Sequence, residues 1–197
     1  MIQNSLVFTG VYGHKQPVGC SSHSFECGVL YGVSGVNGSG KSTLLQTLAG
    51  EIEPLTGKVL IGDKSPGDRS CLGKIKLIST PTFIPDISIG EHFDLVFPHH
   101  KEKRLEQIET WQLEELLKVP PSWLSSGQKQ RVFLALQLAA SVDFLLLDEP
   151  ERHLDDFWVN FLAEVLQVTA AAGSCVIVAT HNSTLIRKSM QEIVLKL

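Results

Sequence analysis

The hydrophobic pattern of the chain alternates between short apolar runs, which are typical of β-strands, and stretches with helical spacing. The run at 144–147 is apolar at every position, which predicts a central strand that is buried on both faces. The other predicted strands lie at 5–8, 29–33, 58–61, 75–78, 176–179 and 193–197. Strands that alternate with helices in this way predict an α/β fold.

Two helices and a helical block complete this pattern. A helix is predicted at 42–49 because Gly50 follows it, in the position where helices commonly end. Apolar residues at i, i+4, i+7 and i+8 from Leu154 to Leu166 predict a second helix with one buried face. Near-helical spacing at 105–117 adds to a mostly helical pattern from 85 to about 137. We therefore expect a helical subdomain at about 85–137, inserted into an α/β core.

Composition and charge narrow the class of protein. With 43% hydrophobic and 19% charged residues, the 197-residue chain is expected to form a single domain over 1–197. A net charge of -4 disfavours a protein that grips the nucleic-acid backbone. The spacing of Cys20, His23 and Cys27 fits no zinc finger, so we expect strand and turn residues there. The first residues lack a signal-peptide pattern and no stretch supplies the ~20 apolar residues of a membrane span, so a cytoplasmic protein is expected.

A glycine-rich segment after the second predicted strand matches the pattern G-x-x-x-x-G-K-S/T. Glycines let successive backbone N–H groups turn towards phosphate oxygens, and the following helix adds its positive dipole end. Lys41 would reach the β- and γ-phosphates, and the Ser42 hydroxyl would bind Mg²⁺. The predicted phosphate loop comprises Gly35, Val36, Asn37, Gly38, Ser39, Gly40, Lys41, Ser42 and Thr43.

An acidic pair follows the predicted central strand. Asp148 ends this strand, where a carboxylate next to the phosphate loop suits the binding of Mg²⁺ in nucleotide hydrolases. Glu149 comes directly after it and could polarise an attacking water. Capping of the next helix is the alternative role for this pair.

A third motif, with the sequence LSSGQ at 124–128, lies between the phosphate loop and the acidic pair. It resembles the LSGGQ signature of the ATP-binding cassette (ABC) ATPases, which are the nucleotide-binding subunits of ABC transporters. The resemblance extends over nearly the whole chain, because 147–150 is similar to the family's LDEP and 179–181 to its switch-histidine segment. The signature residues are Leu124, Ser125, Ser126, Gly127 and Gln128, and the D-loop residues are Leu154 and Asp155.

The resemblance implies a P-loop NTPase core with a mostly parallel sheet, an N-terminal antiparallel β part and the inserted helical subdomain. It also implies that ATP and Mg²⁺ are the cofactors and that Ser42 and Asp148 bind the metal. Tyr12 would stack on adenine, and the alternative is a simple edge-strand tyrosine. Glu149 and His181 would be the catalytic residues of an ATPase.

The resemblance further implies partners. A second ABC ATPase subunit, in a homodimer or a heterodimer, would place its signature and D-loop against the ATP of the first. Membrane-spanning permease subunits would hold the chain at the inner face of the cell membrane, and no nucleic acid is expected. Six apolar residues are expected either to line the groove where these subunits dock or to form the core of the helical block: Phe83, Ile84, Ile87, Ile89, Phe93 and Phe97.

The sequence departs from the family in three places. Ser126 replaces the first glycine of the signature, which is a mild change, and 151–153 replaces the small residues that are usual in the D-loop. No glutamine occurs between Thr47 and Glu106, although the family has one there in its Q-loop. Ser79 takes that place and would reach Mg²⁺ through a bridging water.

Two alternatives to a transporter subunit remain. The segment 148–155 resembles the cassettes of ABC-type translation factors, which would make the protein a soluble ATPase that acts on nucleic acid or ribosomes. A nucleotide-dependent regulator outside transport is the other alternative. A regulator that does not hydrolyse ATP would lack Glu149 or His181, and both are present.

Overall fold

The computed structural model describes residues 5–195, which form two β-sheets and six α-helices. The first sheet is antiparallel in the order β2-β1-β4, with β1 Ser5–Gly13, β2 Pro17–Glu26 and β4 Thr56–Ile61. The second is parallel in the order β5-β6-β7-β3-β8, with β3 Leu30–Ser34, β5 Ile75–Ile78, β6 Phe144–Asp148, β7 Cys175–Ala179 and β8 Gln191–Val194. The helices are α1 Lys41–Leu48, α2 Ile89–Val96, α3 Lys101–Thr110, α4 Ser126–Leu138, α5 Asp156–Ala171 and α6 Ser183–Lys188. The α/β class, with its parallel sheet and N-terminal antiparallel part, is confirmed.

Strand β2 was not predicted by the hydrophobic pattern. It pairs with β1 from Ser5 opposite Glu26 to Gly13 opposite Pro17. Phe25 is its only fully buried residue, and the rest of the strand alternates between exposed and partly exposed small or polar side chains. The strand therefore forms because its backbone pairs with β1, although its apolar alternation is weak.

The hydrophobic core of the α/β part forms around α1. This helix contacts β1 of the first sheet and β6 and β7 of the second. Leu44, Leu45 and Leu48 lie on its buried face and are fully inaccessible to solvent. They pack with aromatic and aliphatic residues of both sheets, including Phe8, Phe25, Tyr31, Phe144 and Ile177.

The described chain divides into two compact units. One unit contains residues up to Ser79 together with 142–151 and 158 onwards, and it holds both sheets. The other unit contains 80–141 and 152–157, and it holds α2, α3 and α4. The helical subdomain predicted at about 85–137 falls within the second unit. Within residues 5–195, no helix combines the length and the apolar character that are needed to cross a bilayer.

The helical unit has its own buried core. Ile89 and Phe93 are fully buried on α2, and the Phe93 ring stacks on Phe97 at 5.9 Å between centroids. His92 is also buried, and its Nε2 accepts a hydrogen bond from the backbone N–H of Ile84 at 3.0 Å. Half of the six apolar residues considered for a docking groove are therefore core residues, whereas Ile84 is exposed.

The structure refines the helical pattern at 105–117 and corrects the bounds of the last strand. Helix α3 ends at Thr110, so the near-helical spacing at 105–117 does not form one helix. The chain turns there because Trp111 and Leu113 are buried and Gln112 adopts φ 51, which breaks the helix. The last strand lies at Gln191–Val194 instead of 193–197, and residues 196–197 lie outside the described residues.

Gly10 and Gly57 lie opposite each other where β1 pairs with β4. We expect Gly57→Ala to lower the free energy of unfolding by ~2 kcal/mol or more, because φ is 86 and an added Cβ would lie 1.9 Å from the Thr9 carbonyl oxygen. Urea denaturation measures this change.

Two matched glycines separate the causes of that effect. Gly73 has φ 76, but an added Cβ would meet no atom within 4 Å. Gly73→Ala should therefore lower the free energy of unfolding by only ~1–2 kcal/mol. Gly67→Ala has neither problem and should be close to neutral. A Gly57→Ala protein as stable as Gly67→Ala would contradict the close approach of β1 and β4.

Candidate functional site

The glycine-rich loop connects β3 to α1 and has the backbone that its sequence predicts. Gly35, Gly38 and Gly40 all have positive φ, of 154, 83 and 87. A Cβ on Gly40 would lie 2.4 Å from Val18 Cγ1, so both conformation and space require glycine there. A Cβ on Gly38 would meet no atom within 4 Å, which leaves this side of the loop open to a ligand.

A cavity of about 270 Å³ lies against this loop and the first turn of α1. Gly40 is the N-cap of α1, and no side chain caps the helix. The backbone N–H groups of the first turn are therefore available to an anion, and the helix dipole favours one. The cavity is lined by Val18, Asn37, Gly38, Gly40, Lys41, Ser42, Thr43 and Glu149.

The Lys41 side chain is buried and makes three contacts inside the loop region. Its Nζ donates to the carbonyl oxygens of Gly35 at 2.9 Å and Val36 at 3.2 Å. Nζ also lies 2.8 Å from His181 Nε2. Because an ammonium has only donors, Nε2 must accept this bond, which places the imidazole proton on Nδ1.

Glu149 and Asp148 lie at the end of β6, next to the segment that follows β7. The backbone N–H of Glu149 donates to the Ala179 carbonyl at 2.8 Å and continues the pairing of the two strands. Glu149 has φ 47, an uncommon conformation for a residue other than glycine. Its Oε1 lies 3.6 Å from His181 Nε2. The strand end therefore places the carboxylate beside the Lys41–His181 pair.

Asp148 offers an oxygen that suits a divalent cation. Its Oδ1 is buried and has no hydrogen-bond partner. Such an orphaned carboxylate oxygen is costly unless a ligand satisfies it. Mg²⁺ prefers oxygen ligands, and the predicted second ligand, the Ser42 hydroxyl, lines the cavity together with Glu149, the residue after Asp148. The donor set at Asp148 and Ser42 therefore fits Mg²⁺.

The signature residues lie in the helical unit, at the start of α4. Ser125 is the N-cap: its Oγ accepts from the Gln128 backbone N–H at 3.2 Å, and Gln128 Oε1 accepts from the Ser125 N–H at 2.9 Å. This reciprocal capping box explains why a serine and a glutamine occur at this spacing. Leu124 is buried in front of the cap, and Ser126 occupies the first helical position, exposed.

The D-loop contacts the signature within the same unit. A Cβ on Gly127 would lie 2.7 Å from the His153 carbonyl oxygen, so glycine is required at this position. His153 itself has φ 68. Leu154 is partly buried and Asp155 is exposed. The bulky residue that departs from the family pattern is thus accommodated, with its backbone against α4.

Tyr12 is enclosed by its neighbours in the structure. The ring is only 2% exposed, packs edge-on against Phe8 at 6.1 Å, and lies next to Gly19 and Gly40. A ring that stacks on adenine must present one face to the base, and no face is free. The enclosed ring favours the alternative of a structural edge-strand tyrosine, and the stacking of Tyr12 on adenine stays a prediction.

Ser79 follows β5 directly and is exposed. Ile78 of β5 pairs with Leu147 of β6, so Ser79 lies at the same sheet edge as Asp148. This placement is compatible with the predicted role near Mg²⁺, which stays a prediction.

Two features of the site were missed in the sequence. Val18 lines the cavity because β2, which the hydrophobic pattern did not locate, runs past Gly40. Glu151 accepts a hydrogen bond from the Thr180 hydroxyl beside His181. The sequence could have indicated this contact, because residue 151 is a glutamate where the family has a small residue.

Comparisons with known proteins agree with the motifs. The family model described as ABC transporter matches residues 20–152. A putative ABC transporter ATP-binding protein of Clostridium tetani is 33% identical over 171 residues, which cover 82% of this chain. The chelated iron transport system membrane protein YfeB of Yersinia pestis is 33% identical over 176 residues, also 82% of this chain. The chain belongs to the ABC transporter ATP-binding family.

The lengths and the solved structures complete this comparison. The chain spans 39% of the length of the Clostridium protein and 60% of YfeB. The dimeric structure of an ATP-binding cassette, in a post-hydrolysis state bound to ADP and Pi, matches with a TM-score of 0.82 at 24% identity. That match covers 97% of this chain and 94% of the other, and it shows the shared fold of the P-loop NTPase core.

The two roles considered for Tyr12 give different results on substitution. We expect Tyr12→Ala to lower the free energy of unfolding by ~3–5 kcal/mol, because it would leave a cavity under the phosphate loop. Tyr12→Phe keeps the ring and should cost less than ~1.5 kcal/mol. Urea denaturation checks both, and a stable Tyr12→Ala protein that has lost only ATP affinity would instead support stacking.

Proposed function

We propose that this chain binds ATP with Mg²⁺ and hydrolyses it as the nucleotide-binding subunit of an ABC transporter. The observation that carries the proposal is the row of Lys41, His181 and Glu149 at one sheet edge, joined by distances of 2.8 and 3.6 Å beside the cavity. The Lys41 ammonium would bind the phosphates, the His181 imidazole would contact the γ-phosphate, and the Glu149 carboxylate would activate the water.

Catalysis would proceed by attack of water on the γ-phosphorus. Lys41 exchanges its carbonyl contacts for phosphate oxygens, and the loop N–H groups bind the remaining charge. His181 turns from Lys41 to the γ-phosphate, while Glu149 takes the proton of the attacking water. The products are ADP and inorganic phosphate. The positive φ of Glu149 is compatible with a side chain held for this task.

Mg²⁺ fits this scheme through the chain's own oxygens. Asp148 and the Ser42 hydroxyl would hold the ion, with Ser79 reaching it through water. When bound, the ion would neutralise part of the phosphate charge.

The partners in this proposal are a second cassette and membrane-spanning subunits. A second cassette would use Ser125 and Gly127 at the N-terminus of α4 to face the γ-phosphate, where the helix dipole favours an anion. The dimeric cassette among the similar structures supports this arrangement. Membrane-spanning permease subunits would bind the pair and hold it at the inner face of the membrane. The net charge of -4 disfavours the alternative of a cassette that acts on nucleic acid.

Hydrolysis is tested by Glu149→Gln. We expect this variant to bind Mg-ATP but to lose ~100- to 10,000-fold in turnover, because the amide cannot accept the proton of the water. Fluorescent-ATP titration and steady-state phosphate release measure the two properties, and size-exclusion chromatography with ATP detects an accumulated dimer. Lys41→Ala is the control, since it should abolish binding itself. A Glu149→Gln protein as active as wild type would overturn the assignment.

The replacement of the Q-loop glutamine gives a separate expectation. We expect the isolated subunit to be an active but slow ATPase, because Ser79 is shorter than glutamine and acts through water. Ser79→Ala should change the rate less than tenfold, and Ser79→Gln should hold or raise it. ATPase assays over a Mg²⁺ series measure this. A Ser79→Ala protein as inactive as Glu149→Gln would show that Ser79 ligates directly.

A further inference from the structure

The segment around His181 is held by a buried hydroxyl and a carboxylate. Thr180 is fully buried, directly after β7, and its backbone N–H donates to the Val33 carbonyl at 3.1 Å. Its hydroxyl donates a hydrogen bond to Glu151 Oε1 and accepts one from the Asn182 backbone N–H at 2.9 Å. The backbone on both sides of His181 is therefore fixed by one hydroxyl, whose direction depends on Glu151.

The Asn182 side chain extends this chain of contacts into α6. Its Oδ1 accepts from the backbone N–H of Thr184 at 2.8 Å and so caps the helix. His181 is the one residue of the segment 180–182 whose side chain is directed to the phosphate loop, since its Nε2 lies 2.8 Å from Lys41 Nζ. A shift of Thr180 would thus move the imidazole relative to Lys41 and Glu149.

The Glu151 carboxyl group is an unusual choice for this place. Its Oε2 is buried without a hydrogen-bond partner, and burial raises the pKa of the carboxyl group, with the nearby Glu149 acting in the same direction. Hydrogen bonds from Thr180 and from backbone amides oppose this rise in pKa. A costly buried carboxyl group that accepts a hydrogen bond from the side chain of the residue before His181 indicates a positioning role.

We propose that Glu151 is a positioning residue for His181: it holds the Thr180 hydroxyl and thereby fixes the imidazole beside Lys41 and Glu149. Its effect on turnover rests on the proposed ATPase function, whereas its effect on the imidazole does not. The Thr180 hydroxyl requires an acceptor at the distance that a glutamate side chain spans. Glu151→Gln should therefore keep His181 in place, whereas Glu151→Asp, whose side chain is shorter by one methylene, should not.

The kinetic test uses the full chain with ATP. We expect Glu151→Ala and Glu151→Asp to lower kcat about 10- to 100-fold while the KM and the affinity for a non-hydrolysable ATP analogue change less than about twofold. Glu151→Gln should recover at least about half of the wild-type kcat. Thr180→Val, which removes only the hydroxyl, should behave like Glu151→Ala, and Thr180→Ser should behave like wild type; this pair serves if Glu151→Ala does not fold.

The matched control is Asp68→Ala, because Asp68 also accepts from a hydroxyl, Ser70 Oγ, at 2.7 Å on the surface of the same unit. Its kcat should equal that of wild type. In a His181→Ala background, Glu151→Ala should add less than about a twofold effect, since the group that it positions is gone. An equal fold-loss in both backgrounds, or an unchanged kcat in Glu151→Ala, would overturn the proposal.

A measurement without hydrolysis separates this proposal from the ATPase function. The chain has seven histidines, and ¹⁵N-histidine spectra compared with His181→Ala identify the His181 ring nitrogens. We expect the Nδ1–H tautomer in wild type, Asp68→Ala and Glu151→Gln, and a shift towards averaged tautomers in Glu151→Ala. Unchanged His181 signals in Glu151→Ala would overturn the positioning role. If the wild-type protein does not hydrolyse ATP, the proposed function is overturned. If Glu151→Ala still changes the His181 signals in that case, the positioning role remains supported.

Discussion

Val33, Ala179 and Asp148 are partners across the parallel strands β3, β7 and β6, so the three strands end at the same edge of one sheet. The phosphate loop follows the first of these strands, His181 follows the second, and Glu149 follows the third. Parallel pairing places the C-terminal ends of strands side by side, and ligands of open α/β sheets bind at that edge. A slip of one residue between β6 and β7 would turn the Glu149 carboxylate to the opposite face of the sheet.

The same edge concentrates backbone strain and unsatisfied polar atoms. Glu149 has positive φ, and single oxygens of Asp148 and Glu151 are buried without partners. Each of these features lowers stability by itself. They are found together where the proposed chemistry needs a ligand and a fixed imidazole, while the core around α1 is apolar and without such defects among its buried leucines. The stability of that core is what allows the edge to remain in this arrangement.

The sequence predicted the parts of this site that depend on local pattern. The glycines of the phosphate loop and the apolar strand before Asp148 could be located because positive φ and burial on both faces leave clear signals. β2 and the end of α3 could not, since pairing with β1 and burial of Trp111 are tertiary effects. Tyr12 was assigned from the resemblance to the family, and only its packing against Gly40 shows that its ring is enclosed.

Lys41 Nζ is already hydrogen-bonded to two carbonyl oxygens and an imidazole nitrogen, so a ligand does not meet an unpaired ammonium group. It must exchange with contacts that the protein makes for itself, and the net gain is the difference between two sets of hydrogen bonds. A small anion with one or two oxygens replaces few of them, whereas a polyphosphate satisfies the ammonium and the loop N–H groups together. The internal hydrogen bonds of Lys41 therefore make the site selective. Breaking them lowers the affinity of every anion by the same free energy, and only a ligand with enough oxygens regains it.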